Sequence, residues 1–177
     1  MAAIIARGVQ AKSILEVGGG IGHLQIELLE AGATRSVNVE LSRGYEETAR
    51  TLLESEGLLG RVERRLGDFV EEHETIAVAD IVLLDKVICC YPWVGRMVDA
   101  AAAKTRESMA LILPRDHRMA KTLIALENTW HRLRRSGFRG YVHDVGEIDA
   151  RARAAGMTRV YLDRGPMWQA MIYARSG

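Results

Sequence analysis

Four glycines crowd five positions, Gly18, Gly19, Gly20 and Gly22, directly behind the apolar run Ile14-Leu15-Glu16-Val17. Glycine permits positive φ and lets a ligand approach the backbone closely. A strand that ends in such a turn and leads at once into a helix is therefore suited to a nucleotide-like ligand at the carboxyl edge of a parallel sheet. Two fingerprints can be tested by spacing. The dinucleotide pattern G-x-G-x-x-G needs its third glycine at His23 when counted from Gly18, or at Gln25 when counted from Gly20, and neither position is glycine. The phosphate loop needs a Gly-Lys pair, which the chain lacks. A mere tight turn with no ligand would need fewer glycines, since each costs backbone entropy.

Carboxylates follow at the ends of later apolar runs. Glu40 closes Ser36-Val37-Asn38-Val39-Glu40 and precedes Leu41. A carboxylate there can accept both hydroxyls of a ribose, in a dinucleotide enzyme as in other nucleotide binders. Gly67-Asp68-Phe69 follows Leu66, and Asp85-Lys86 follows Ile81-Val82-Leu83-Leu84. Each has a plain reading as well: exposed loop carboxylates for Glu40 and Asp68, a core aromatic for Phe69, an ordinary salt bridge for Glu16.

The segment Asp85-Lys86-Val87-Ile88-Cys89-Cys90-Tyr91-Pro92-Trp93 begins at the carboxyl end of the fourth strand, where Tyr91 or Lys86 can touch a substrate. Its two adjacent thiols are the only cysteines. Neighbouring cysteines make a strained disulfide, and free Cys commonly serves as a small buried hydrophobe. The expectation is a chain without a disulfide framework, in a reducing cytoplasm. Pro114-Arg115-Asp116-His117 ends the fifth strand. His117 is a candidate base, against a plainer role capping a helix. His143 and Asp144 suit a cap region. Tyr91 and His117 are thus the candidate catalytic residues. No Cys/His cluster has ligand spacing, so no metal is expected.

Hydrophobic periodicity supplies the elements that position these groups. β-Branched runs predict strands at Ser13–Val17, Ser36–Glu40, Arg61–Leu66, Ile81–Asp85, Ala110–Pro114, Thr158–Leu162 and Trp168–Ala174. Helical spacing falls at about Gly22–Ala31, Gly44–Glu56, Trp93–Lys104, Arg118–Arg135 and Val145–Ala155, with Gly32, Gly57 and Gly156 placed as helix C-terminal glycines. Alternating strands and helices predict right-handed βαβ units and a doubly wound α/β fold, Rossmann-like, with helices on both faces of a mostly parallel seven-stranded sheet. Only Asp163 to Met167 separate the last two strands, so the final one is antiparallel. The chain is expected to form a single domain, 1–177, with a short N-terminal segment, 1–12.

The spacing E-x-G-G-G-x-G from Glu16 to Gly22 resembles the first motif of class I S-adenosylmethionine-dependent methyltransferases. The ordered set Glu40, Leu66-Gly67-Asp68-Phe69, Ala79–Asp85 and the antiparallel last strand is similar to that family's later motifs, and the likeness runs from Ile14 to Arg175. The resemblance implies S-adenosylmethionine as cofactor and S-adenosylhomocysteine as product. It implies cofactor contacts from Glu16, Gly18, Gly19, Gly20, Gly22, Glu40, Leu41, Gly67, Asp68, Phe69, Asp85 and Lys86. Asp68 would take the exocyclic amine of adenine, Phe69 would cover the ring, and Glu16 would lie near the methionine part, often through water. The Val-Glu-Leu-Ser sequence after the second strand, Cys89-Cys90-Tyr91-Pro92 and Trp168-Gln169 look like a bacterial group similar to magnesium-protoporphyrin O-methyltransferases, which methylate a carboxylate. Members of that group carry a helical N-terminal extension. Here about a dozen residues precede Ser13, which would leave the site open to a macromolecular acceptor or a dimer partner.

Hydrophobic residues at 48%, charged residues at 27% and a net charge of +1 describe a soluble globular chain with no global pull toward polyanions. No run reaches the ~20 apolar residues of a membrane span. The expected acceptor is a small molecule, through a carboxylate or hydroxyl oxygen or a nitrogen, with a homodimer left open. One stretch departs from the balance: Arg118, Lys121, Arg132, Arg134, Arg135 and Arg139 are opposed only by Glu127. It supports an alternative RNA or protein acceptor on the basic 118–139 helix, less favoured because no aromatic platform accompanies it. Cations near a helix C-terminus also suit the helix dipole. A non-catalytic S-adenosylmethionine-binding subunit is the remaining alternative. The Asn/Asp-Pro-Pro-Tyr type of motif used by base-amino methylating enzymes is absent.

Overall fold

The computed structural model describes residues 1–175. In chain order the elements are α1 (Ala2–Ile5), β1 (Ser13–Val17), α2 (His23–Glu30), β2 (Arg35–Glu40), α3 (Glu46–Ser55), β3 (Val62–Leu66), α4 (Phe69–Glu72), β4 (Ala79–Asp85), α5 (Val94–Ala103), β5 (Thr105–Pro114), α6 (Arg118–Leu133), α7 (Val145–Ala154), β6 (Met157–Arg164) and β7 (Trp168–Arg175). The seven strands make one sheet in the order β3-β2-β1-β4-β5-β7-β6. Strands β1 to β5 pair in parallel, while β7 runs antiparallel to both β5 and β6. The β6–β7 hairpin is closed by the Gly165 N–H donating to the Trp168 carbonyl at 2.9 Å.

Strand β1 is buried along its whole length, because helices cover both faces of the sheet. Its side chains alternate between two cores, as the two-residue period of a strand requires. Ile14 joins Ile4, Ile26, Leu29 and Leu53 on the α1–α2–α3 side. Leu15 and Val17 join Phe69, Met97, Val98, Ile148 and Ala152 on the α4–α5–α7 side. Burying a leucine such as Leu15 completely contributes about 2 kcal/mol.

The structure differs from the periodicity reading in three places. Residues 1–12 contain α1, whose single turn is too short to show a period, and Ile4 anchors it in the core. Strand β5 begins at Thr105 rather than Ala110; its polar first half, Arg106-Glu107-Ser108, hides a strand whose Ser108 pairs with both Ile81 and Ala174. The β3–β4 crossover holds the four-residue α4, again shorter than a detectable period. Gly32, Gly57 and Gly156 take positive φ after their helices.

Candidate functional site

The carboxyl ends of β1, β2, β3 and β4 open into one cleft of about 430 Å³. Its first wall is the glycine turn. Gly18, Gly20 and Gly22 take φ of 62°, 57° and 91°, values that cost an L-residue roughly 1–2 kcal/mol each. The Gly18 N–H donates to the Val39 carbonyl at 2.8 Å, and the Gly22 N–H to the Gly19 carbonyl at 2.8 Å. Gly18 and Gly20 line the cleft. A Cβ on Gly18 would overlap the Val87 side chain. Gly22 instead caps α2, and Gly19 faces inward, where a Cβ would overlap Glu16 and Asn38.

Glu40 is 6% exposed yet lines the cleft. Its Oε2 accepts the Gly20 N–H at 2.9 Å and its Oε1 accepts the Ser42 N–H at 2.8 Å. Each oxygen keeps a further lone pair, so the carboxylate is held rigidly and retains capacity for two more donors. Arg64 on β3 reinforces the turn from behind, donating to the Gly20 carbonyl at 3.0 Å and to Glu46 Oε1 at 2.7 Å. At the end of β3, Asp68 caps α4 by accepting the Val70 N–H on Oδ1 at 2.8 Å. That bond orients the carboxyl group and leaves Oδ2 unused among the described contacts. Gly67, Phe69 and Leu41 complete this wall.

The opposite wall comes from the segment after β4. Lys86 has φ of 56°, fixed by its N–H donating to the Ile112 carbonyl at 2.9 Å. Its ammonium lies 5.5 Å from the centre of the Trp168 ring. The Cys89 thiol donates to the Lys86 carbonyl at 3.1 Å. Its neighbour Cys90, 3.9 Å away, and burial push the Cys89 thiol up, so it stays a protonated structural group. Two distant residues lace this loop down. Tyr141 N–H donates to the Cys89 carbonyl at 2.7 Å, and His143 Nε2 lies 3.0 Å from the carbonyls of Ile88 and Tyr91. The Tyr91 hydroxyl is buried in the cleft wall without a hydrogen-bond partner among the described residues. Burial, then the adjacent Asp68, pushes it up.

Nine of the residues expected at the site, Gly18, Gly20, Glu40, Leu41, Gly67, Asp68, Phe69, Lys86 and Tyr91, line the cleft together. Of the other five, Gly19 and Gly22 belong to the turn without lining the cleft, and three lie elsewhere. Glu16 sits beneath the glycine turn, 1% exposed, accepting from Asn38 Nδ2 at 3.1 Å; burial pushes its carboxyl up to about 8. Its side chain follows Ile14 toward α2, because residues two apart in a strand share a face. Asp85 faces a second groove of about 280 Å³ beside Met1, Leu24 and Ile112. Its Oδ1 is buried without a partner, and burial raises its pKa. His117 is committed to a cap: Nδ1 accepts the Ala120 N–H at 3.0 Å, which leaves Nε2 to donate to the Pro166 carbonyl at 3.0 Å. With both ring nitrogens engaged, it has no free lone pair for base catalysis.

Sequence reasoning missed Ser42, Tyr45, Val87, Met97 and Phe138, which also line the cleft. Ser42 and Tyr45 follow Glu40 closely enough to be suspected. Met97 and Phe138 reach the cleft only through tertiary packing. Among the described residues, no group of three His, Cys, Asp or Glu is arranged to hold a metal ion, and no helix is long and apolar enough to cross a membrane.

The strand order, the antiparallel β7 and a cleft at the carboxyl ends of β1 to β4 define a Rossmann-like methyltransferase fold. Particular solved structures share it. Magnesium protoporphyrin IX methyltransferase from Synechocystis PCC 6803, with bound SAH, matches with a TM-score of 0.77 at 16% identity, over 99% of this chain and 81% of that one. An O-methyltransferase family protein from Burkholderia thailandensis matches with a TM-score of 0.79 at 20% identity, over 100% of this chain and 55% of that one. A putative sarcosine dimethylglycine methyltransferase from Galdieria sulphuraria matches with a TM-score of 0.78 at 13% identity, over 99% and 83%. The chain thus spans about half the length of the Burkholderia protein. No family model matches the chain, and no curated protein matches it in sequence.

The residues of the cleft fit S-adenosylmethionine. A rigid carboxylate with spare lone pairs suits a ribose diol, a carboxylate oxygen beside an aromatic wall suits an adenine, and a glycine edge admits close approach of a ligand. The buried Tyr91 hydroxyl, adjacent to Asp68 but without a partner of good hydrogen-bond geometry among the described residues, is the kind of group a ligand completes.

Proposed function

We propose that this chain is an S-adenosylmethionine-dependent methyltransferase acting on an oxygen or nitrogen of a small molecule, with a carboxylate oxygen as the preferred acceptor. One observation carries the reading: the Glu40 carboxylate is pinned at the cleft by two backbone N–H groups and presents its remaining lone pairs to a ligand. Glu40 would accept the ribose hydroxyls, Asp68 the adenine amine, and Phe69 would cover the ring. The fold shared with proteins solved with bound SAM and SAH supports the same cofactor. When bound, S-adenosylmethionine supplies a sulfonium methyl open to in-line displacement.

The chain's own residues then have to hold an acceptor in line and keep it ionised. No histidine lines the cleft among the described residues. A carboxylate acceptor is already ionised at neutral pH and needs no base. Lys86 at the rim supplies a cation for such an acceptor, and Tyr91 a free hydroxyl donor.

Titration calorimetry with S-adenosylmethionine and S-adenosylhomocysteine tests the cofactor. Binding is expected, and Glu40→Gln, which loses charge-assisted bonds worth about 1.5–3 kcal/mol, should weaken it on the order of ten- to a hundredfold. No heat with either compound, alongside a thermal shift with NAD(P)H, would reject the reading. A screen of carboxylates with radiolabelled cofactor separates an enzyme from a non-catalytic subunit, since any methylated product excludes the latter.

A further inference from the structure

Helix α6 is built differently from the rest of the molecule. Of its sixteen residues only Ala120 is buried, and Ile124, Asn128 and His131 are half-buried on the same face. The opposite face carries Met119, Leu123, Leu126, Trp130 and Leu133, each between 46% and 75% exposed. These positions alternate steps of four and three residues, so they form one continuous stripe, roughly 21 Å long at the rise of an α-helix. Among the described residues nothing covers it.

The surroundings of the stripe are cationic. Residues 115–139 hold seven Arg or Lys and two Asp or Glu, an excess of five in a chain whose total is +1. Asp116 is taken by Lys121 at 2.6 Å. Arg118, Arg132, Arg134 and Arg135 make no ion pair among the described residues, although nine ion pairs stitch the surface outside this segment. Arg134 lies 4.2 Å from the Trp130 ring centre, leaving one end of that indole covered by a cation.

We propose that α6 docks on an anionic lipid surface, its apolar stripe seated at the headgroup–acyl boundary and its unpaired arginines on the lipid headgroups. An amphipathic helix of high polarity, with Trp and Leu on one face and arginines flanking it, has the composition of an interfacial helix. The charge selects among occupants. A second copy would bring an equal positive excess against the first, which opposes self-association through this face. A nucleic acid would use the arginines but would bury five apolar side chains against phosphates, and the Trp130 face is already occupied. An anionic bilayer satisfies both features at once. Phe138, just beyond α6, is 41% exposed and lines the cleft, so the docked helix would set the cleft beside the lipid surface.

Vesicle co-sedimentation of the full chain tests this, whatever the fate of the methyltransferase reading. Vesicles of equal parts phosphatidylcholine and phosphatidylglycerol should bind the protein on the order of tenfold or more tightly than pure phosphatidylcholine. Raising NaCl from ~0.05 M to ~0.5 M should weaken that binding severalfold, as screening removes the attraction. Leu126→Ala/Trp130→Ala/Leu133→Ala should weaken it at least about tenfold. Arg118→Gln/Arg132→Gln/Arg134→Gln should abolish the preference for the anionic vesicles, and serves alone if the first triple variant does not fold. The proposal is overturned by absence of binding to anionic vesicles at low salt, or by unchanged binding of a folded apolar variant. It is overturned equally by a dimer in sedimentation equilibrium that the apolar variant dissolves. Tighter binding to a single-stranded RNA than to vesicles, indifferent to the apolar substitutions, would also overturn it.

Discussion

Replacing Glu16 by glutamine should stabilise the protein at alkaline pH and remove most of a pH dependence that the native chain shows. Glu16 is 1% exposed, and burial lifts its carboxyl from an ordinary 4.5 to about 8. That separation corresponds to roughly 5 kcal/mol between protonated and ionised forms. Relaxation and water entry reduce what is realised, so about 2–3 kcal/mol is the working expectation. The sign follows from proton uptake. The folded chain keeps the proton up to about pH 8, whereas the unfolded chain releases it near 4.5. Stability is therefore full below the unfolded value, falls as pH rises between the two, and levels off above the folded one. The partner makes glutamine a good substitute. Asn38 Nδ2 already donates to Glu16 at 3.1 Å, while Asn38 Oδ1 is buried without a partner, so the side-chain amide of the Glu16→Gln variant can accept one bond and donate the other. Urea unfolding from about pH 5 to pH 8.5 reads the effect. With m near ~2 kcal/mol/M, the variant's midpoint should match the native one at the acid end and exceed it by about 1 M at the alkaline end. Asp80, held down at about 2 mainly by Ser13 and Arg106 against its own burial, loses its contribution only below its ordinary 3.8 and does not interfere. Parallel curves for the two proteins, or a less stable variant at pH 8, would show that Glu16 is ionised in the fold and refute the reasoning.

Two further outcomes test the cleft itself. Gly18→Ala forces a Cβ into the Val87 side chain at a φ of 62°, so it should weaken S-adenosylmethionine binding more than about tenfold and cost at least ~1–2 kcal/mol of stability. Gly18→Ala/Val87→Ala should recover part of both in calorimetry and thermal melts. His117→Ala should cost about 1 kcal/mol through the lost helix cap, leaving cofactor affinity unchanged and kcat within a few-fold. A hundredfold fall in kcat with an altered pH profile would instead make His117 a base.

The first wall of the cleft was legible because each of its parts lies at a strand end and follows its strand in sequence. Gly18 and Gly20, Glu40 and Asp68 are placed by β1, β2 and β3 in turn, and parallel strands deliver their carboxyl ends to one edge. The opposite wall was not legible in that way. Its loop at 88–91 is held by Tyr141 and His143, and nothing local in the sequence announces a contact across fifty residues. Glu16 illustrates a different limit. The resemblance places it near a ligand, and the alternation of the strand puts its side chain on the side of Ile14 beneath the glycine turn, while Val17 lines the cleft.

Helix α6 shows why periodicity alone does not give direction. Two stripes of equal clarity run along it: Ala120, Ile124 and Asn128 on one face, Leu123, Leu126 and Trp130 on the other. A sequence reading naturally turns the larger apolar set inward. The fold turns it out, since the inner face meets the returning segment, where Asn128 exchanges hydrogen bonds of 2.8 and 2.7 Å with Gly140 and Gly140 leaves no room for bulk, a Cβ there lying 3.2 Å from Ile124. A small and polar inner face suits that close turn, so the large residues have to be accommodated elsewhere. Their exposure is then a consequence of how α6 is tied to the wall that follows β4. The same segment, 138–143, ties down the loop carrying Tyr91 and carries Phe138 into the cleft. Whatever settles on the apolar face of α6 therefore bears on that side of the cleft.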